Sequence, residues 1–200
     1  MTLGELSTVR TGLVSSRKGR PEPGEPKRIY RLLNLKCVSA EGYLNADSAE
    51  FYEASENLKD DYLTRSGDVL VRLSTPYTAV LIDRPDLYQL LIPSHFAILR
   101  ADPKKILPEY LFWFLQREQT KNDLLKSGSG STSFGTISAG AISSLPIPLL
   151  PINEQKQLAN LWMLTQKEQE LLHRLADEKK EYNVLLLNKI YQTMKRGIEK

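Results

Sequence analysis

Leu145-Pro146-Ile147-Pro148-Leu149-Leu150-Pro151-Ile152-Asn153-Glu154-Gln155-Lys156-Gln157-Leu158-Ala159 is the stretch on which the reading of this chain turns. Each proline fixes its own φ and pushes the residue before it out of the helical region, so 145–151 must run extended. Beyond it the texture changes: proline does not recur, and glycine returns only at Gly197. Asn153 is suited to an N-cap and Glu154 to the positive end of a helix dipole. The spacing predicts one helix of about 44 residues from 153 onward, ~66 Å long at 1.5 Å per residue.

Steps of three and four along that helix place Leu158, Leu161, Leu172, Leu175, Tyr182 and Leu186 in one stripe, interrupted by Thr165, Glu168, Lys179, Lys189 and Thr193. Leu171, Leu185, Leu187, Ile190, Tyr191 and Met194 widen it, and the six stripe residues with Ile190 are the candidate dimer interface. A stripe this long would stay largely wet beside a small globule, which predicts packing against a second long helix of a partner chain.

Upstream, short apolar segments bounded by Gly, Pro, Asp or Ser read as strands: Arg28 to Val38, Val69 to Leu73, Ala79 to Asp83 and His95 to Leu99. Leu107-Pro108-Glu109-Tyr110 opens a helix with proline near its first position, and Tyr110 to Leu115 is apolar almost all round, so that helix is expected to be deeply buried. Lys126-Ser127-Gly128-Ser129-Gly130-Ser131-Thr132-Ser133 ends the helical potential. The expected class is α+β: a mostly β domain with a few helices over residues 1–152, then a helical region over 153–200.

With 200 residues, 41% hydrophobic and 26% charged, the chain can bury a globular core, and a multidomain catalytic machine is excluded. Net charge is only +3, so any polyanion contact must be local. Residues 1–30 carry six basic and three acidic groups, whereas 31–62 carry three and seven. The positive excess sits in the Pro- and Gly-rich segment Val14 to Lys27, with Arg17, Lys18, Arg20 and Lys27. The single cysteine, Cys37, allows no internal disulfide and no cysteine zinc site, which suits a reducing cytoplasm. Met1-Thr2-Leu3-Gly4-Glu5 lacks a signal-peptide layout, and no apolar run approaches the ~20 residues of a membrane span, so neither secretion nor insertion is expected.

No constellation for catalysis is evident. G-x-x-x-x-G-K-[ST], H-E-x-x-H and G-x-S-x-G are missing, and Gly128-Ser129-Gly130 follows a helix rather than a strand. The two histidines lie on separate elements: His95 is expected to be structural, His173 to be a surface or interface residue. No catalytic residue, metal ligand or cofactor is assigned.

Taken in order, Arg10-Thr11-Gly12, Leu63 to Arg72, Gly130-Ser131-Thr132 and above all Leu145 to Ala159 resemble the DNA specificity (S) subunit of type I restriction-modification systems. The resemblance covers nearly the whole chain. In that family a target recognition domain is followed by a long helix, and the unit occurs twice so that the two helices pack antiparallel as a spacer; this sequence carries one copy. The resemblance implies a non-catalytic subunit that binds double-stranded DNA and docks a modification methyltransferase subunit and, in systems that have one, a restriction subunit. With one copy per chain, a homodimer joined through an antiparallel coiled coil and reading a bipartite target is the expected arrangement.

Base readout needs side chains on loops together with Lys, Arg, Ser and Thr groups that fix register on phosphates. The candidate DNA-binding residues are therefore Arg17, Lys18, Arg20 and Lys27, Arg72 and Ser74, and Ser129, Ser131 and Thr132. Tyr30, Tyr43, Tyr62 and Tyr77 read as core or hairpin residues. The competing reading makes these segments solvated connectors and the protein a non-catalytic interaction scaffold with a dimerising helix; a free-standing enzyme would require a perturbed polar pocket.

Overall fold

The computed structural model describes residues 1–14, 28–128 and 135–198, and the chain divides into two compact units, Met1–Ala159 and Asn160–Lys200. The elements in chain order are α1 (Leu3–Leu6), β1 (Ser7–Thr11), β2 (Arg28–Leu32), β3 (Glu50–Ala54), β4 (Asp68–Arg72), β5 (Ala79–Leu81), β6 (Phe96–Ala101), α2 (Pro108–Gln116), α3 (Glu118–Gly128), α4 (Ala139–Ser143) and α5 (Ile152–Ile198). The class is α+β, as the sequence indicates.

In the first unit β1, β6, β4 and β5 form an antiparallel sheet in that spatial order. Val69, Leu70 and Val71 of β4 and Phe96 to Leu99 of β6 are fully buried, because both strands are central and covered on both faces. One face packs with Leu33, Cys37, Leu44, Ile82, Leu87, Leu90 and Ile92 through Leu70, Val80, Phe96 and Ile98. The helix α2 lies against β4 and β5 and buries Tyr110, Leu111, Phe112, Phe114 and Leu115, the all-round apolar run expected of a covered helix. Each such side chain contributes roughly 1.5–3 kcal/mol relative to exposure.

A second, two-stranded sheet pairs β2 with β3. Tyr30 and Tyr52 face a satellite cluster of Leu13, Ala54, Leu58, Leu63 and Leu91, and the Tyr30 hydroxyl accepts the Leu58 N–H at 2.9 Å. Ile29 and Phe51, on the opposite face, are exposed.

The extended reading of Arg28 to Val38 holds only as far as Leu32. At Asn34 the side-chain carbonyl accepts the Lys36 and Cys37 N–H groups, at 2.9 and 3.2 Å, and folds Leu35–Cys37 into a 3-10 turn that buries Cys37. Strands β1 and β3 escape the sequence reading because β1 carries polar residues at four of its five positions, β3 flanks Phe51-Tyr52 with Glu50 and Glu53, and each takes its order from its neighbour's ladder.

Arg10, Asp61, Arg65, Asp68 and Arg100 meet in one charged network. Arg100 donates from Nε to Asp68 Oδ1 at 2.8 Å and from Nη2 to the Leu63 carbonyl at 2.9 Å, with the Asp68 side chain 3% and the Arg100 side chain 15% exposed. Arg10 binds Asp61 at 2.6 Å, and that bond holds the Asp61 carboxyl below the usual carboxylate range and raises the Arg10 guanidinium.

The proline-rich run behaves as its composition demands. Leu145 and Ile147 are buried and Pro146 and Pro148 exposed, a strand-like alternation that spends the positions lacking N–H groups on solvent. Leu3 N–H donates to Leu145 at 3.0 Å and Ile147 N–H to Met1 at 2.9 Å, so this run ties down the N-terminus. The Tyr110 hydroxyl donates to the Pro148 carbonyl at 2.7 Å, and burial pushes that phenol's pKa up.

The helix α5 runs for 47 residues and starts at Ile152, one residue before the expected position; Asn153 lies inside its first turn, and Glu154 and Gln155 donate to the Pro151 carbonyl. Gln155 and Ala159 are buried in the first unit, which places the border of that unit after Ala159. Of the interface candidates, Leu158 is half-buried, whereas Leu161, Leu172, Leu175, Tyr182, Leu186 and Ile190 are between 40% and 64% exposed. Among the described residues no helix is long and apolar enough to cross a membrane.

Candidate nucleic-acid interface

Antiparallel pairing decides which loops share an end of the main sheet. Thr11, at the end of β1, pairs with Ala97, and Arg72, at the end of β4, pairs with Phe96. Both strands therefore finish at the start of β6. The chain leaves β1 through Gly12, whose N–H donates to the Phe96 carbonyl at 3.0 Å, and Leu13, whose N–H donates to Ile92 at 2.7 Å. Next in sequence comes the basic segment.

The β4–β5 connection supplies the second element. Arg72 Nε donates to the Ser74 hydroxyl at 2.8 Å, which holds the half-buried guanidinium along the tip. Leu73 N–H donates to the His95 carbonyl at 2.9 Å, fixing the tip against the turn that precedes β6. Tyr77 takes φ +55° and turns its buried ring inward.

A third strip arrives from the Ser/Gly/Thr-rich segment. Thr75 N–H donates to the Gly135 carbonyl at 3.0 Å, Ser74 and Thr136 form a bridge, and Ile137 N–H donates to Leu73 at 2.8 Å. Gly135 has φ +74°, and a Cβ there would sit 2.7 Å from Thr75 Oγ1, so only glycine fits this approach.

Among the described residues this end of the sheet exposes Thr11, Thr75, His95 and Thr136, with Ser74 and Arg72 half-buried. The exits from β1, β4 and the 135–137 strip carry hydroxyls and one guanidinium and no carboxylate. Such a surface offers hydrogen-bond donors to an acceptor-rich polyanion. Burial first and Arg72 second lower the His95 imidazole from its ordinary value. Among the described residues no His, Cys, Asp and Glu group is arranged to hold a metal ion.

Of the residues nominated from the sequence, Arg72 and Ser74 are brought into direct contact here. Arg17, Lys18, Arg20, Lys27, Ser129, Ser131 and Thr132 lie outside the described residues. His95 is exposed in the turn before β6, whereas Phe96, the first residue of that strand, is fully buried with its ring 5.9 Å from the imidazole. Tyr77 is a core residue, as expected, and Tyr30 and Tyr62 pack against the satellite cluster.

Residues 1–195 match the family described as Type I restriction modification DNA specificity domain. The chain belongs to this family. Specificity, not methyl transfer or cleavage, defines such a domain, and the subunit is non-catalytic. Among solved structures, the HsdS subunit from Thermoanaerobacter tengcongensis is similar at 21% identity and a TM-score of 0.63, covering 92% of this chain and 46% of that one. A chain from a structure of the complex assembly and conformational transition of the type I R-M system gives 20% and 0.65 with the same coverage. The type I restriction-modification S subunit from M. genitalium gives 17% and 0.52, covering 88% and 40%. These likenesses concern the fold, and the specificity domain spans less than half the length of the chains it matches. No curated protein matches the sequence.

Proposed function

We propose that this specificity domain is the DNA-target recognition subunit of a type I restriction-modification system, acting in the cytoplasm. Residues 1–152 read the duplex and 153–200 act as the spacer. The observation that carries the reading is the shared sheet end: the exit of β1 toward the basic 15–27 segment, the Arg72–Ser74 tip and the Gly135–Thr136 flank of the Ser/Gly/Thr segment converge at the start of β6. Loops from three parts of the sequence thereby supply the mixture of phosphate-fixing and base-reading groups that a specific site needs.

The long helix pairs antiparallel with that of a second copy through Leu158, Leu161, Leu172, Leu175, Tyr182, Leu186 and Ile190, and two-fold symmetry presents two equivalent domains to a bipartite palindromic target. Exposure of six of these seven residues supports the pairing. In the assembled system the subunit directs the methyltransferase subunit, and a restriction subunit where one exists, to the bound site.

The test is selection from a random-sequence duplex pool with and without the cognate methyltransferase subunit, followed by affinity against salt. The expected result is an enriched two-part motif and a log–log salt slope of about −0.9 per neutralised phosphate. A flat salt response with no enriched motif in either arm would leave the scaffold reading standing instead.

A further inference from the structure

The reading above pairs α5 with a second copy and leaves the place of the symmetry axis open. Exposed apolar side chains on this helix fall into two groups of near-equal length, one from Leu161 to Leu175 and one from Tyr182 to Met194. Between them lies Ala176-Asp177-Glu178-Lys179-Lys180-Glu181, where every residue but the alanine is charged. Charge along the contact stripe is the second observation. Glu168 and Lys189 stand three heptads apart and so share one face, with Lys179 between them. Lys167 pairs with Glu170 and Arg174 with Glu178, each at 2.8 Å, whereas among the described residues neither Glu168 nor Lys189 makes an ion pair within the chain. Both side chains are exposed.

We infer that the two-fold axis of the paired helices passes through the 176–181 block, so that the Leu161–Leu175 group of one copy covers the Tyr182–Met194 group of the other, and Glu168 meets the partner's Lys189 on each side of the axis. The inference rests on the paired-helix reading and adds to it a register and the charges that set its direction. A parallel pair would also cover the apolar groups, each by its own copy. It would set Glu168 against Glu168, Lys179 against Lys179 and Lys189 against Lys189, a repulsion at every charged position of the stripe. The antiparallel pair turns the outer two into attraction, and isologous symmetry makes that contact twice. Lys179 alone stays near its like, at the axis, where its long stem carries the ammonium out to water. A register moved by one heptad in either direction would lay the charged block on apolar side chains and face Lys189 with a leucine.

Cysteine cross-linking of the intact chain reads the register directly, because its own Cys37 is buried. Lys179→Cys, close to the axis, is expected to give a disulfide-linked dimer when an oxidant is added. Glu168→Cys alone and Lys189→Cys alone stay unlinked, since each lies about 30 Å from its own copy at 1.5 Å per residue, while a subunit-exchanged mixture of the two cross-links. Glu168→Lys and Lys189→Glu are each expected to raise the dimer dissociation constant about tenfold in sedimentation, and the chain carrying both to return near the wild-type value. Far-UV circular dichroism of each variant, matching wild type, separates a lost contact from a lost helix. A wild-type dimer in which Lys179→Cys does not cross-link, or in which the doubly reversed chain is as weak as the single ones, overturns the inference and leaves a paired helix standing. Self-linking of Glu168→Cys overturns the inference and the antiparallel arrangement together, and wild type that sediments as a monomer at micromolar concentration removes the pairing altogether.

Discussion

The Gln155 side-chain oxygen accepts the backbone N–H of Leu107 at 2.9 Å, joining the first turns of two helices that lie 48 residues apart in the chain. The same amide donates to the Lys105 carbonyl at 3.1 Å and to the Leu150 carbonyl at 2.8 Å. Fully buried, Gln155 thus closes the otherwise orphaned start of α2 and the end of the proline-rich run with one planar group. This explains why a glutamine follows the extended segment: neither a charged nor an apolar residue offers both an acceptor and two donors there.

Gln155→Leu is therefore expected to destabilise the chain by about 1–3 kcal/mol, since it removes the partner of a part-buried N–H and of two part-buried carbonyls. Urea unfolding followed by circular dichroism measures this, and a change under 1 kcal/mol would mean that water replaces the amide.

The ion pair between Asp68 and Arg100 is almost closed to solvent, so removing Arg100 strands the Asp68 carboxylate and removing Asp68 leaves Arg100 only its longer contact to Asp61 at 3.3 Å. Arg100→Met or Asp68→Asn should each cost about 3–5 kcal/mol, and the double variant far less than their sum. Thermal melts of the three variants, run as a double-mutant cycle, give the coupling.

Asp61 predicts the acid limb of stability. Its hydrogen bond from Arg10 depresses the folded carboxyl below its ordinary value of 3.8, so its contribution is fully present above that pH and is lost as pH falls through the lowered folded value. Asp61→Asn should flatten this limb of the stability–pH profile while leaving its slope near neutrality unchanged. Denaturant midpoints between about pH 2.5 and about pH 7 decide the matter.

Arg72→Ala is expected to weaken duplex binding and to reduce the magnitude of the salt slope by about one, as the loss of one phosphate contact requires. Fluorescence anisotropy across a salt series tests it; an unchanged slope with unchanged affinity would place the DNA elsewhere on the domain.

On α5, Leu172→Glu with Leu186→Glu puts charge into the exposed stripe. Sedimentation should then show a monomer where wild type dimerises, because a carboxylate buried between helices has no partner. Wild-type protein sedimenting as a monomer at micromolar concentration would dismiss the paired-helix arrangement.

Several elements were legible because local chemistry leaves no alternative. Proline spacing makes 145–151 extended, the absence of proline and near absence of glycine after 152 makes α5 one helix, and Pro108 starts α2. These follow from backbone constraints and side-chain period, which a linear sequence states directly. The functional end of the sheet does not. That Thr11, Arg72, His95 and Thr136 gather at one place depends on strand order and register, which none of these segments states alone. Asn34 likewise bends a chain whose composition reads as strand, and the start of α2 is completed by a glutamine 48 residues downstream. The sequence by itself determined the extended proline run, the starts of α2 and α5, and the strands β4 to β6 in their order. Only the tertiary structure decided which loops meet, because that rests on non-local hydrogen bonds between segments whose own propensities are silent about their partners.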